Sequence, residues 1–208
     1  MKVLDLCTGS GAIAISIKHF VPEAEVTATD LNKEALVVAR ENAGRLLEEP
    51  LSACCAGTSP RRGEARDPHS WLSLWGELSA KRTERGTPIR FLQGDLFDAL
   101  DTPEMFDLIV SNPPYIPTPV IDGLMPDVKD FEPKMALDGG EDGLDIYRRL
   151  IPEAAKHLAP GGVLLLEIGY DQGETVPALC RQAGLTGITV LKDLAGLDRV
   201  VRAWYNEE

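Results

Sequence analysis

Seven short apolar runs, separated by longer stretches of helical periodicity, constrain this chain more than any other feature. The runs are Lys2–Cys7, Ala24–Thr29, Ile89–Gln93, Phe106–Ser111, Gly162–Ile168, Gly187–Leu191 and Arg199–Trp204. Most are apolar at consecutive positions, the pattern of strands covered by helices on both faces. The helical stretches are Gly11–Phe20, Asn32–Leu47, Leu144–Leu158 and Gln172–Ala183. Asp171-Gln172-Gly173-Glu174 reads as a capping-box-like start for the last of these. Pro152 is expected to split the third into two uneven pieces. Strand–helix alternation of this kind predicts an α/β fold with a largely parallel sheet. The last two runs, joined by a polar link containing Gly196, predict an antiparallel hairpin at one edge.

One stretch breaks the alternation. Residues 49–88 contain four Pro and four Gly and carry six Lys/Arg against five Asp/Glu. A segment this long inside a domain is unusual, and it reads as an insertion. Trp71, Leu72, Leu74, Trp75 and Leu78 predict a short helix from Ser70 to Lys81 within it. The whole chain of 208 residues carries a net charge of −12, which repels a phosphate backbone and argues against direct nucleic-acid binding. No apolar run reaches the ~18 residues of a membrane helix, and the N-terminus lacks the pattern of a signal peptide. The four cysteines form no Cys-x-x-Cys pair. A cytoplasmic protein with free thiols is the expectation. No zinc spacing exists, so no metal is implied, and His19, His69 and His157 read as surface or packing residues.

Two constellations carry chemistry. In the first, Val3-Leu4-Asp5-Leu6-Cys7-Thr8-Gly9-Ser10-Gly11 reads as a strand running into a tight turn and then a helix. Gly9 and Gly11 permit positive φ and close approach of a ligand to the backbone. Asp30 ends the second strand, where an acid can accept hydrogen bonds from ribose hydroxyls. Read alone, Gly9-x-Gly11-x-x-Ala14 also suits a dinucleotide. Asp5 shifts the balance, because a carboxylate there can hold the ammonium group that S-adenosylmethionine has and a nicotinamide cofactor lacks. Asp95 can accept a hydrogen bond from an adenine amino group with Leu96 packing on the ring, or simply cap a helix. In the second constellation, Asn112-Pro113-Pro114-Tyr115 follows the fourth strand directly. Two prolines make the backbone rigid and present the Asn112 side-chain oxygen and the Pro113 carbonyl as paired acceptors. Such a pair orients an amide or aromatic amino nitrogen, whose lone pair is delocalised, and Tyr115 can stack on the planar group. Glu167, at the end of the fifth strand, either faces this site or serves the core.

These residues resemble a known family. VLDLCTGSGAIAI at Val3–Ile15, TDLNKEAL at Thr29–Leu36, GDLFDAL at Gly94–Leu100 and FDLIVSNPPYIP at Phe106–Pro117 are similar to class I S-adenosylmethionine-dependent methyltransferases. FEPKMALDGGEDGLDIYRRLI at Phe131–Ile151, GGVLLLEIGYDQGE at Gly161–Glu174 and KDLAGLDRVVRAW at Lys192–Trp204 resemble, more narrowly, the HemK-type peptide-chain-release-factor glutamine methyltransferases.

The resemblance implies a Rossmann-like seven-stranded sheet over residues 1–208 with the insertion at about 49–88. It implies methyl transfer from S-adenosylmethionine to the glutamine side-chain amide in the Gly-Gly-Gln motif of bacterial release factors. Asp5, Cys7, Thr8, Gly9, Ser10 and Gly11 would serve the methionine part of the cofactor, Asp30 and Leu31 the ribose, and Asp95 and Leu96 the adenine. Asn112 would touch both cofactor and substrate, with Pro113, Pro114 and Tyr115 around the glutamine. Cys7 stands where the family has glycine, and the family's N-terminal helical domain and linker do not precede the first strand of this sequence. Alternatives left open by the residues are amino-group methylation of adenine or guanine in DNA or RNA, methylation of another protein's Gln or Asn, and a non-catalytic cofactor-binding scaffold. Nothing in an oxidoreductase explains Asn-Pro-Pro-Tyr.

Overall fold

A computed structural model describes residues 1–48, 88–125 and 133–206. The helix expected at 70–81, His69 and most of the 49–88 insertion lie outside these residues, as does the start of the 131–151 motif. The described strands are β1 (Lys2–Leu6), β2 (Glu25–Asp30), β3 (Arg90–Gln93), β4 (Phe106–Ser111), β5 (Leu158–Glu167), β6 (Thr186–Lys192) and β7 (Asp198–Trp204). The helices are α1 (Ala12–Phe20), α2 (Lys33–Glu48), the one-turn α3 (Thr118–Ile121) and α4 (Lys134–Leu137), α5 (Asp145–His157) and α6 (Thr175–Gln182), with a 3₁₀ turn at Leu96–Ala99. No helix among the described residues is long and apolar enough to cross a membrane.

The strands form one seven-stranded sheet in the order β3-β2-β1-β4-β5-β7-β6. The first five run parallel, and β7 pairs antiparallel with both β5 and β6. The expected α/β sheet and C-terminal hairpin are therefore both present. Alternate residues of β1 point to opposite layers. Leu4 and Leu6 join Ile109, Leu164, Leu166, Tyr147 and Leu150 in a core under α5 and α6. Val3 joins Ala14, Val26 and Ala28 in a second core on the face of α1. The order of strands reverses between β1 and β4, and ligands of such sheets bind at the carboxyl ends of the strands beside that reversal.

Three local expectations are corrected. Helix α5 runs unbroken through Pro152. A proline inside a helix costs ~3 kcal/mol, but Tyr147, Leu150, Ile151 and Ala154 of α5 are fully buried and Pro152 is exposed, so packing of one face outweighs the lost bond. Strand β5 begins at Leu158, where a helix end was expected, because Leu158 is fully buried and pairs with Phe106. Helix α6 starts at Thr175 with no side-chain cap, so the capping-box reading fails. The Gln172 side chain is engaged elsewhere.

Candidate active site

The carboxyl ends of β1, β2 and β4 open onto a cleft of about 1360 Å³. Its walls include Cys7, Thr8, Gly9, Ser10, Asp30, Leu31, Asp95, Leu96 and the whole Asn112–Tyr115 segment, so the tertiary structure brings nearly every residue singled out in the sequence to one place.

Local chemistry holds this arrangement. After β1 the chain turns through three residues with positive φ, Cys7 (57°), Gly9 (56°) and Gly11 (83°). The turn is closed by bonds from the Gly11 N–H to the Thr8 carbonyl (2.9 Å) and from the Thr8 N–H to the Thr29 carbonyl (3.0 Å). A Cβ at Gly11 would press on Ile15 and Ala39 at 3.0 and 3.1 Å, so glycine lets α1 and α2 close over the turn. Asp30 organises the next strand end. Its Oδ2 accepts the Gly9 N–H (2.8 Å) and its Oδ1 the Asn32 N–H (2.7 Å), yet the carboxylate still lines the cleft with lone pairs to spare. Cys7 occupies the same left-handed region at a cost of ~1 kcal/mol. Burial pushes its thiol up to about 12, with the charge of Asp30 adding to the effect, so it stays protonated and inert.

Asp5 lies one layer below the cleft. It is fully buried on the α1 face of the sheet, and its Oδ2 accepts bonds from the Thr8 hydroxyl (2.6 Å) and the Ala14 N–H (3.0 Å). Asp5 is not on the cleft wall, and it supports the turn through Thr8. Among the described residues its Oδ1 has no partner. Burial pushes the carboxyl up to about 7, opposed by the bonds from Thr8 and Ala14 and aided by Asp30. The folded protein therefore holds this proton more tightly than the unfolded chain, where a carboxyl titrates near 3.9. Its stabilising contribution is complete below pH ~4 and is lost as the pH rises toward 7. Asp5→Asn is expected to remove that slope. Urea titrations from pH 4 to 8 should show the wild type losing stability relative to the variant across this window, and a constant difference would exclude the assignment.

The second half of the cleft is built on Asn112-Pro113-Pro114-Tyr115. Ser111 anchors its start by donating its hydroxyl to the Leu6 carbonyl (2.8 Å). Asn112 is exposed to the cleft, and among the described residues neither its side-chain amide nor the Pro113 carbonyl has a hydrogen-bond partner. Both residues line the cleft, on a segment stiffened by two prolines. Tyr115 is half-buried, with its phenol 3.4 Å from Glu167 Oε1. Burial and the Glu167 charge both raise its pKa. Glu167 lies behind Tyr115 and outside the cleft wall, and its carbonyl accepts the Tyr147 hydroxyl (2.6 Å). His157 and His19 behave as expected: His157 stacks on Phe97 and His19 packs on Phe20.

Several cleft residues escaped the sequence reading. Arg149 of α5 pairs with Asp95 Oδ2 at 2.7 Å, so one oxygen of that carboxylate is already occupied. Asp95 also makes no cap bond from its side chain. Arg148, Ile146 and the Asp138–Gly140 loop complete the far wall. Their only signal is the Leu-Asp-Gly-Gly-Glu-Asp-Gly-Leu-Asp run, whose glycine density marks a turn-rich loop but not its position.

The fold is that of the class I methyltransferases. A methyltransferase of known structure from Pyrococcus furiosus superposes with a TM-score of 0.61 at 17% identity, over 99% of this chain and 75% of that one. The family model described as "Methyltransferase small domain" matches residues 1–52. The sequence is 41% identical over 200 residues to the release factor glutamine methyltransferase of Caulobacter vibrioides, and 42% identical over 207 residues to that of Moorella thermoacetica. These matches cover 96% and 99% of this chain, and bear out the resemblance to the glutamine branch. The chain spans 56% and 59% of the length of those two relatives.

Proposed function

We propose that these residues form one S-adenosylmethionine-dependent methyltransferase domain, interrupted by the 49–88 insertion. Its reaction is transfer of a methyl group to the side-chain amide nitrogen of the Gly-Gly-Gln glutamine in bacterial peptide chain release factors. The Asn112 and Pro113 acceptors, on the wall of the same cleft as Asp30 and Leu96, carry this reading. The similarity to release factor glutamine methyltransferases supports it.

The donor set suits the cofactor. Asp30 offers a carboxylate for vicinal hydroxyls, Leu96 an apolar wall for a purine, and Asp95 a free Oδ1 for its amino group. A side chain built on Gly9 would meet nothing within 4 Å, so the open turn leaves room for a ligand against the backbone. S-adenosylmethionine held there would supply an electrophilic methyl carbon, its sulfur keeping the electron pair of the broken C–S bond as a neutral thioether. The protein's share is positioning and electrostatics. Asn112 Oδ1 and the Pro113 carbonyl accept the two N–H bonds of the substrate amide and turn its lone pair toward the methyl group. As the C–N bond forms, positive charge grows on nitrogen, and both acceptors favour it. The surplus proton leaves to solvent, so no general base is required. A translation-factor substrate makes the cytoplasm the site of action.

The test supplies the chain with methyl-labelled S-adenosylmethionine and a bacterial release factor, the same factor with its motif glutamine changed to alanine, a DNA duplex and an RNA. Label on the intact factor alone is the expected result. Label on DNA or RNA would transfer the assignment to base methylation, and label on the alanine variant would exclude the motif glutamine as acceptor.

A further inference from the structure

Gln172 is only 5% exposed, and its amide is fully used. Its Oε1 accepts the Gly169 N–H at 2.9 Å. The two protons of Nε2 go to the Tyr115 carbonyl at 3.1 Å and the Gly143 carbonyl at 3.2 Å. One side chain therefore joins three segments that lie far apart in sequence: the loop after β4, the loop between α4 and α5, and the loop after β5. The surroundings are shaped to the same end. Gly143 has φ +75°, and a Cβ there would run into the Tyr115 carbonyl and sit 2.9 Å from Gln172 Nε2. A short ladder continues the junction, with the Ile116 N–H on the Leu137 carbonyl and the Gly139 N–H on the Ile116 carbonyl, both at 2.9 Å.

We infer that Gln172 is a positioning residue for methyl transfer: by holding the Tyr115 carbonyl it fixes the Asn112–Tyr115 segment and hence the direction of the two amide acceptors. This rests on the function proposed above. Pro113 and Pro114 transmit the constraint, since each has its φ locked. A misplacement of ~1 Å at reacting groups can cost about 100-fold in rate. Only a carboxamide fits the role. It presents one acceptor to an N–H and two donors to two carbonyls, whereas a carboxylate of the same shape would set an anion against both carbonyl oxygens.

The test compares wild type, Gln172→Glu and Gln172→Met in the full chain. S-adenosylmethionine Kd should stay within about 3-fold, because the Cys7–Gly11 turn and Asp30 make no bond to Gln172. The kcat per folded molecule should fall on the order of 10- to 100-fold, with a smaller change in KM. Gln172→Glu should be no better than Gln172→Met. Hydrogen exchange read by mass spectrometry should quicken at Ile116, Gly139 and Gly169 and stay unchanged at Thr8 and Gly11. A side chain that merely packs would be rescued by the isosteric Gln172→Glu, and its loss would lower the folded fraction while leaving kcat per folded molecule intact. Either result, or exchange quickened equally everywhere, overturns the inference. If the wild-type chain labels no release factor, the functional reading falls, and the exchange pattern still decides whether Gln172 holds the loop.

Discussion

Asn112→Ala is expected to lower the methyl-transfer rate on the order of 10²- to 10³-fold, the usual loss when one oriented group is removed from a developing charge. Stability should stay within about 0.5 kcal/mol of wild type, the range of surface substitutions that break no feature. Both halves follow from the same geometry. The Asn112 side chain is exposed to the cleft and unpartnered among the described residues, so its removal breaks no native bond. The strand end beneath it is held separately by the Ser111 hydroxyl on the Leu6 carbonyl. In the proposed reaction, however, Asn112 Oδ1 is one of two acceptors for the substrate amide. Losing it frees the nitrogen to rotate and leaves part of the growing positive charge without a partner. The measurement pairs a single-turnover methyl-transfer rate with a thermal melt. A wild-type rate in a folded variant would sink the two-acceptor mechanism. A fall in rate with a matching fall in Tm would show that Asn112 is structural.

The largest effect on stability is expected at Leu166. It is fully buried near the end of β5, paired with Ser111 on one side and Val201 on the other. It packs in the core beneath α5 and α6. Truncation to alanine removes apolar contact and leaves a cavity that flanking strands cannot close, since their hydrogen-bonded spacing is set by the sheet. The expected cost is about 2–5 kcal/mol, a fall in Tm of roughly 5–15 °C for a chain of this size. Leu191→Ala supplies the contrast: Leu191 lies on the edge strand β6 at 41% exposure, and its loss should cost well under 1 kcal/mol. Denaturant unfolding of both variants checks the pair, and equal losses would mean that the centre of the sheet does not carry the core. Because Leu166 lies beneath the acceptor loop, its variant should also lose activity, unlike Leu191→Ala.

The sequence alone determined the class of fold and most of the residues that line the cleft. Strands buried on both faces must be apolar at successive positions, which made β1 and β2 legible, and antiparallel β6 and β7 followed from the short link between them. The turn at Cys7–Gly11, Asp30 and Asn112–Tyr115 were legible because each is a contiguous run whose residue types serve a local purpose: positive φ, a carboxylate at a strand end, a rigid pair of prolines. What depended on packing was not. Pro152 reads as a break, yet four buried neighbours on one face of α5 keep the helix whole. Asp5 reads as a ligand contact, but which side of β1 it leaves from is decided by the sheet, which turns it toward Ala14 and buries it. Arg149 reaches Asp95 across 54 positions of sequence. Gln172 reads as part of a helix cap, and only the folded sheet brings it to Tyr115, 57 positions away, and to Gly143, 29 positions away. Local runs carry their meaning in their own backbone geometry. A hydrogen bond between distant segments acquires its partner only when the sheet has set the strand ends side by side, and that is where Gln172 meets the loop after β4.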